Sequence, residues 1–227
     1  MDLKQVDPKQ IVTAGYDRIA EQYCAWSSQA RREERAKYTS VLLEQLPEGA
    51  AVLELGCGAG LPTTRQLAQR FTVTGVDISA RQLALARHNV PTAAFLHADM
   101  TQLDLAPMSF DAVVAFYSLM HVPRHEHPEL LRKITSWLRA GGMFVATLWP
   151  RGNEATFAEN WLGAPMYWSG FDSTTSTRLV EEAGLHLLRA EEETMEEFGV
   201  PITFLWVIAA KPVQAIREDI KAVFWAP

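Results

Sequence analysis

The 227-residue chain predicts a single α/β domain: a seven-stranded, mostly parallel β-sheet with an antiparallel last strand and helices on both faces. Short apolar or β-branched segments alternate with helical segments of about ten residues, a pattern typical of parallel strands joined by right-handed crossovers. A glycine-rich turn follows the first of these strands. The length and the 48% hydrophobic content suit one domain with a sizeable core.

Two N-terminal helices precede the first strand, and we expect residues 1–46 to form them as a lid over the sheet edge. Asp7 and Pro8 are typical of a helix start, because aspartate caps the first turn and proline fits the first helical position. A second helix is predicted from about residue 29 to 46. Its charged run RREER, residues 31–35, mixes signs and is interpreted as a solvated helix face.

The main part of the domain, residues 47–211, alternates strands and helices. The first five strands are predicted over 51–55, 71–77, 93–99, 110–117 and 143–148. Ser79 caps one crossover helix, and Gly141 and Gly142 close another. A helix over 176–183 precedes two final antiparallel strands, and the glutamates within 191–197 are interpreted as a solvated hairpin loop.

One segment, residues 149–172, interrupts this alternation. It is rich in aromatic residues yet shows neither the helical nor the strand period. A long loop without secondary structure is uncommon in a compact domain unless it is functional. We therefore expect an insertion that covers the carboxyl edge of the sheet.

Composition excludes several classes of protein. The net charge of −6 argues against a nucleic-acid-binding surface, which needs clustered cations. Two cysteines, Cys24 and Cys57, are too few for a disulfide framework, and Cys57 is interpreted as a small buried residue. No signal peptide and no apolar run of about 20 residues is present, so we expect a cytoplasmic protein without a membrane span. No metal site is predicted, because no ligand cluster has a suitable spacing.

The first strand leads into the glycine-rich turn of VLELGCGAG, residues 52–60. Gly56, Gly58 and Gly60 lie at alternate positions, so the third glycine comes one residue earlier than in the dinucleotide fingerprint G-x-G-x-x-G. Glu54 stands just before the turn, where its charge would repel a pyrophosphate. The turn better suits a ligand with a cationic amine and no phosphate, and S-adenosylmethionine is such a ligand.

Two more acids end the next two strands. Asp77 can accept hydrogen bonds from both ribose hydroxyls of a nucleoside, and Asp99 can accept from an adenine amino group. Because the carboxyl ends of parallel strands meet at one edge, the acids and the glycine turn predict one nucleoside site. Helix capping is the alternative for Asp77, and a solvated loop position is the alternative for Asp99.

The motifs VLELGCGAG, VTGVDIS, LHADM, FDAVVAFYSLMHV and LRAGGMFVATL occur in this order, and with them residues 45–210 resemble the class I S-adenosylmethionine-dependent methyltransferases. The resemblance implies a Rossmann-like fold and S-adenosyl-L-methionine as cofactor. It also implies that Glu54 and the three glycines border the methionine end. For ribose and adenine, the resemblance implies contacts from Asp77, Ile78, Asp99 and Met100. Near the methyl group it implies residues 116–121, beginning with Phe116.

Tyrosines and histidines near this edge allow two interpretations each. Tyr16 and Tyr23 lie seven residues apart on one helical face, either as lid core or, as in related enzymes, closed over the methionine end of the cofactor. His121 follows the fourth strand, where it either contacts the substrate as a catalytic base or only packs in the loop. His125 and His127 are interpreted as solvated.

The chain is therefore predicted to transfer a methyl group in line from S-adenosylmethionine to an O, N, S or C atom of a small molecule. The residues expected to contact this acceptor are Tyr117, His121, Trp149, Trp161, Met166, Tyr167 and Trp168. Their aromatic rings favour an apolar or planar acceptor, or a stacked cation.

Two alternatives stay open: a dinucleotide-using reductase, and a cofactor-binding protein of the same fold with a non-methylating or regulatory role. The sequence identifies neither the acceptor nor the oligomeric state. The helical spacing of the tail, residues 212–227, fits packing on this domain or on another chain.

Overall fold

The computed structural model describes residues 3–197 and 199–213. Most of the tail predicted over 212–227, with its helical spacing, lies outside these residues. The described part forms a seven-stranded sheet and a two-stranded sheet, with helices around them. No helix in this part is long and apolar enough to cross a membrane.

The large sheet confirms the predicted fold class. The strands are β1 (Ala51–Leu55), β2 (Thr72–Asp77), β3 (Ala94–His97), β4 (Phe110–Ala115), β5 (Leu138–Leu148), β6 (Asn153–Trp161), β7 (Ala164–Gly170), β8 (His186–Glu197) and β9 (Val200–Ala210). The large sheet has the order β3-β2-β1-β4-β5-β9-β8, in which the first five strands are parallel and β9 is antiparallel to both neighbours. The strand order reverses at β1 and β4, so a crevice opens at their carboxyl ends.

Side-chain caps fix the starts of two helices near this crevice. The helices are α1 (Pro8–Ser27), α2 (Arg32–Gln45), α3 (Thr63–Leu67), α4 (Ala80–Asn89), α5 (His127–Trp137) and α6 (Ser173–Glu182). Asp7 accepts a 2.9 Å hydrogen bond from the Lys9 N–H, and the Ser79 hydroxyl accepts one of 3.1 Å from the Gln82 N–H. Both caps satisfy amides that the first helical turn leaves unpaired.

The two glycines expected to close α5 belong instead to β5. The helix ends at Trp137, and β5 begins at the next residue. The Gly141 N–H donates to the Lys211 carbonyl oxygen, and the Lys211 N–H donates to Gly142, each at 2.8 Å. These bonds to the residue after β9 draw both glycines into the sheet, which a helix-end pattern does not reveal.

The aromatic insertion is a hairpin, β6–β7, and not an irregular loop. Leu162 and Gly163 connect the strands with φ of 51° and 97°, the positive values that a tight two-residue hairpin turn needs. The pairing shifts register between Asn153 and Thr156 and again between Ala158 and Trp161. These irregularities break the two-residue period, so the sequence did not indicate strands.

Close contacts hold α1 against the hairpin and α2 against the large sheet. Gly15 of α1 lies directly on β7, because a Cβ at this position would come within 2.6 Å of the Pro165 carbonyl oxygen. Tyr38 of α2 stacks on Trp206 of β9, with ring centroids 3.9 Å apart and planes 1° apart. The hairpin and α1 thus cover the carboxyl edge of the sheet, whereas α2 packs on one sheet face and brings only its start to that edge.

Candidate active site

Two adjoining cavities lie at the carboxyl edge of the large sheet. The inner cavity lies between α1, the turn after β1 and the ends of β2 and β4. The outer cavity lies between α1, the start of α2, the hairpin and β9. The junction, as we call the residues that line both cavities, consists of Tyr16, Tyr23, Arg35, Tyr117 and His121.

The glycine turn borders the inner cavity, but its three glycines differ in role. Gly58 has a φ of +54° and only open space on its Cβ side out to 3.8 Å, so its backbone is accessible to a ligand. At Gly56 a Cβ would lie 2.2 Å from that of Ser118, so this glycine admits the segment after β4. Gly60 does not line the cavity as predicted; it packs on α4, where a Cβ would meet Val90 at 3.1 Å.

Asp77 is buried in the wall of the inner cavity at the end of β2. Its Oδ2 accepts a 2.8 Å hydrogen bond from the Gly58 N–H, and its Oδ1 accepts one of 2.9 Å from the Ser79 N–H. Burial raises the pKa of this carboxyl group, although the backbone hydrogen bonds oppose the shift. Because each carboxylate oxygen has about two acceptor positions, a fixed Asp77 can still accept from a ligand.

Glu54 and Arg35 face one end of the inner cavity. Glu54 is 3% exposed and accepts a 2.6 Å hydrogen bond from the Thr64 hydroxyl, and burial raises its pKa to about 7. Arg35 of α2 lies 3.4 Å from the Thr63 hydroxyl, and its buried Nε has no hydrogen-bond partner among the described residues. An acid and a guanidinium with spare hydrogen-bonding capacity therefore lie close together, and the sequence had predicted only the acid.

Asp99 lines the inner cavity, and it also forms an ion pair with α1. Its Oδ2 lies 2.9 Å from Nζ of Lys9 on α1, and its Oδ1 accepts from the Thr101 N–H at 2.9 Å. The same ammonium group lies 2.6 Å from a carboxylate oxygen of Glu126. Lys9 thus ties α1 to both acids. Three further predicted residues line the inner cavity: Ile78, Met100 and Phe116.

Gln82 is a residue of the inner cavity that the motifs did not indicate. Its side chain is fully buried on α4 and lines the cavity. Within the described part of the chain neither Oε1 nor Nε2 has a hydrogen-bond partner. A buried amide without partners is destabilising, and such groups are commonly satisfied by a ligand or an ordered water.

His121 is oriented by two contacts at the junction. Its Nδ1 lies 2.8 Å from the carbonyl oxygen of Tyr167, and its Nε2 lies 2.8 Å from the Tyr16 hydroxyl. A carbonyl only accepts, so Nδ1 carries the proton and Nε2 accepts from Tyr16. Burial lowers the pKa of His121 to about 4, so the ring is neutral near pH 7. Tyr16 also packs edge-on against Tyr23 at 4.9 Å, so packing and cavity lining both apply to these tyrosines.

Aromatic rings form much of the outer cavity. Trp149, Trp161 and Trp168, which were expected to contact the acceptor, line it. Besides the junction residues, two rings from outside the insertion line it as well, Trp26 near the end of α1 and Phe204 on β9. No motif indicates either residue, because only the fold brings these distant segments to the same wall.

Met166 and Tyr167 line neither cavity, contrary to the prediction. Both are buried where β7 packs on α1, and Met166 lies against Gly15. Tyr167 contributes its backbone carbonyl, which holds His121, and not its ring. The missing strand period in this segment left no way to tell which side chains face the cavity.

The run 31–35 is not a solvated face throughout, and this prediction was wrong. Arg31 and Glu34 are buried, with a 3.3 Å ion pair between them. Nε of Arg31 also lies 2.5 Å from a carboxylate oxygen of Glu197. Arg31 precedes α2 with a φ of 53°, whereas Glu34, Tyr38 and Leu42 lie four residues apart on the buried side of the helix, and that spacing was the overlooked signal. Glu197 belongs to β8, so residues 191–197 form a strand and not a hairpin loop.

The remaining histidines do not form a metal site. In the described ranges no group of His, Cys, Asp and Glu could hold a metal ion. His125 is exposed as predicted, whereas His127 is buried and its Nε2 lies 3.0 Å from the Val122 carbonyl oxygen. Burial lowers the pKa of His127, which was predicted to be solvated.

Comparison with known proteins places the chain in a family. Residues 52–142 match the family model described as a methyltransferase domain. The 27-O-demethylrifamycin SV methyltransferase of Amycolatopsis mediterranei is 30% identical over 212 residues, which cover 86% of this chain and 75% of that protein. The chain belongs to the class I S-adenosylmethionine-dependent methyltransferase family, as its motifs predicted.

Other relatives are similar over less of their length or only in fold. The trans-aconitate 2-methyltransferase of Delftia acidovorans is 36% identical over 130 residues, 54% of this chain and 47% of that protein. The match thus spans about half the length of that relative. The 1,6-didemethyltoxoflavin-N1-methyltransferase of Burkholderia thailandensis has a TM-score of 0.69 and 18% identity, with 93% of each chain covered, and it shows the fold alone.

Proposed function

We propose that the chain binds S-adenosylmethionine in the inner cavity and transfers its methyl group to a small molecule in the outer cavity. The observation that carries the proposal is the junction, where five residues line both cavities. Ligands in the two cavities can therefore meet there. S-adenosylmethionine supplies an electrophilic methyl group on a cationic sulfur, which becomes a neutral thioether once the methyl group has left.

The residues of the inner cavity fit this cofactor. Glu54 and Arg35 would pair with the ammonium and the carboxylate of its methionine end, since opposite charges attract strongly where water is excluded. Asp77 would accept from the ribose hydroxyls through its remaining acceptor positions. Gln82 would gain the partners that its buried amide lacks. Asp99 is proposed to accept a hydrogen bond from the adenine amino group while it keeps its ion pair with Lys9.

The main role of the chain would be to position the two ligands and exclude water. Such positioning can lower the activation barrier by roughly 7–11 kcal/mol. His121 is the candidate catalytic residue, but its Nε2 already accepts a hydrogen bond from the Tyr16 hydroxyl. Burial also holds the pKa of His121 at about 4, so it is a weak base. These facts support an orienting role for His121 at the acceptor over proton removal.

The same geometry supports the predicted division of the chain. Residues 1–46 are proposed as a lid, because α1 lies over the inner cavity, and residues 149–172 as a cap on the acceptor. The net charge of −6 favours a small molecule over a nucleic acid, and a cytoplasmic setting remains our proposal. No observation favours a reductase or a non-methylating role.

Calorimetry and isotope transfer test this function. We expect the protein to bind S-adenosylmethionine and to pass a labelled methyl group to the small-molecule fraction of a cell extract. Asp77→Ala should weaken cofactor binding at least about tenfold, since it removes hydrogen bonds to a charged acceptor. Asp172→Ala removes an exposed acid that caps α6 and serves as the control. Absent cofactor binding, or unchanged affinity in Asp77→Ala, would contradict the proposal.

A further inference from the structure

We propose that the methyl acceptor is a flat, uncharged molecule with fused aromatic rings, held between the tryptophans of the outer cavity. The proposal rests on the proposed function, because it names the acceptor class of the same site. Shape and charge lead to it separately.

The aromatic rings of the outer cavity stand at steep angles to one another. Trp161 meets Trp168 with centroids 5.6 Å apart and planes at 87°, and it meets Trp26 at 6.4 Å and 89°. Trp149 meets Phe204 at 5.4 Å and 77°. Rings in this arrangement offer both faces and edges to a planar guest, and aromatic pairs favour offset-stacked and edge-to-face contacts. A fused-ring molecule would make such contacts with several walls at once.

Four of these five rings lie on regular elements of the fold; Trp149 directly follows β5. Trp26 belongs to α1, Trp161 to β6, Trp168 to β7 and Phe204 to β9. Helices and strands hold side chains more precisely in place than loops do, so the cavity has a defined shape before a ligand enters. All four residues lie outside the matched segment 52–142, so the family match gives no information on the acceptor.

The charges of the outer cavity are already paired or assigned. Its charged lining residues in the described part of the chain are Arg31, Arg35 and Glu197. Arg31 forms ion pairs with both Glu34 and Glu197, and its guanidinium carbon lies 4.5 Å from the centroid of Phe204. Arg35 is assigned to the carboxylate of the cofactor.

An anionic acceptor would lose its hydration in this cavity and would have to compete with the cofactor carboxylate for Arg35. A cationic acceptor would likewise find Glu197 already engaged by Arg31. Burial of an unpaired charge is strongly unfavourable, so the cavity selects against either sign. By this argument trans-aconitate, the polycarboxylate in the name of one relative, is not the acceptor of this chain.

Calorimetry with probes that share one shape and differ in charge tests the proposal. The full chain is first saturated with S-adenosylhomocysteine and then titrated with 2-naphthol, with 2-naphthoate and with 2-naphthylmethylammonium. We expect 2-naphthol to bind at least about tenfold more tightly than either ion, because each ion would be buried unpaired. Equal or tighter binding of an ion, or no binding of any of the three, would overturn the proposal.

Two variants separate charge recognition from a general loss of structure. Glu197→Gln frees one side of Arg31, so it should strengthen binding of 2-naphthoate about tenfold while binding of 2-naphthol stays unchanged. Trp168→Leu should weaken binding of 2-naphthol and leave binding of S-adenosylhomocysteine unchanged. An unchanged preference for 2-naphthol over 2-naphthoate in Glu197→Gln would contradict the charge argument. Failure to bind S-adenosylhomocysteine would instead contradict the proposed function.

Discussion

The hydroxyl of Tyr16 donates to Nε2 of His121 across 2.8 Å, and this hydrogen bond joins the lid helix to the segment after β4 where the two cavities meet. The other ring nitrogen donates to the Tyr167 carbonyl oxygen on the hairpin. The imidazole therefore links α1, the sheet and the hairpin. A group with both nitrogens engaged is better placed to hold this geometry than to remove a proton.

The pH dependence of methyl transfer distinguishes these roles of His121. Burial holds its pKa at about 4, so the ring is already neutral above that pH and should not titrate between pH 5 and 9. We therefore expect the pH profile of the single-turnover rate to show no histidine ionisation over this range. His121→Ala should lower the rate about tenfold, whereas loss of a general base typically removes ~10²–10⁴-fold.

Trp168→Ala is the matched comparison, because it removes a wall of the outer cavity without touching His121's hydrogen bonds. If positioning dominates, it should slow turnover more than His121→Ala does. A rate that rises with pH through an apparent pKa near 6.5, and a rise that disappears in His121→Ala, would assign the base to His121 instead.

The inner cavity could be predicted well because its residues follow consecutive strands. Glu54, Gly58, Asp77 and Asp99 all stand at or just after the carboxyl end of a strand, and parallel pairing brings such ends together. Each of them lines the inner cavity. Gly60 was assigned to the cofactor site by its spacing alone. Its lack of a side chain instead lets the turn pack closely against α4.

The outer cavity could be predicted only in part, because it depends on contacts between distant segments. Arg31 and Arg35 belong to a run whose mixed charges suggested exposure, yet Tyr38 and Trp206 hold α2 against β9 and bring both to the cavity. Met166 was assigned there because of its neighbours in sequence. Irregular pairing within the hairpin conceals which of its side chains face inward.

Cofactor binding should release a proton from Glu54. Burial raises the pKa of this group to about 7, so it is largely protonated below that pH in the free protein. An ammonium group beside it favours the charged form and lowers its pKa. Affinity for S-adenosylmethionine should therefore rise with pH by up to about tenfold per unit below pH 7 and level off above it.

Calorimetry in two buffers with different ionisation enthalpies measures this proton release directly. Glu54→Gln should abolish the release and flatten the pH dependence, whereas Glu33→Gln, an exposed acid on α2, should change neither. Equal proton release in Glu54→Gln would mean that another group supplies the proton.

Gln82→Met should separate stability from cofactor binding. In the free protein the change removes a buried amide that lacks partners, so the free energy of unfolding should rise by about 1 kcal/mol. Affinity for S-adenosylhomocysteine should fall roughly five- to tenfold, because a ligand hydrogen bond is lost. Chemical denaturation and calorimetry measure the two effects.

Gln66→Met is the matched control for Gln82→Met. Its Oε1 is also buried without a partner in the described residues, but Gln66 does not line the inner cavity. We expect Gln66→Met to raise the free energy of unfolding and to leave the affinity for S-adenosylhomocysteine unchanged. If both substitutions leave affinity unchanged, Gln82 does not contact the cofactor.

Opening of the lid should become rarer when the cofactor is bound. Val12 and Tyr16 of α1 line the inner cavity, and Lys9 ties the start of the helix to Asp99 and Glu126. A bound ligand must be released whenever α1 opens, so ligand at 100 times its Kd should slow exchange of the α1 amides by about 100-fold. Amides of α6, Ser173–Glu182, lie away from both cavities and should exchange unchanged.

Lys9→Met tests whether the ion pairs hold this lid closed. The substitution keeps the length of the side chain but leaves Asp99 and Glu126 without their shared cation, so α1 should exchange faster in the free protein. Because the bound ligand is proposed to contact Tyr16, which lines the inner cavity, much of the protection should return on saturation with S-adenosylhomocysteine. Hydrogen exchange followed by mass spectrometry reports both states for each peptide. Equal protection of α1 with and without ligand, in the parent and in Lys9→Met alike, would show that this helix is permanent core and not a lid.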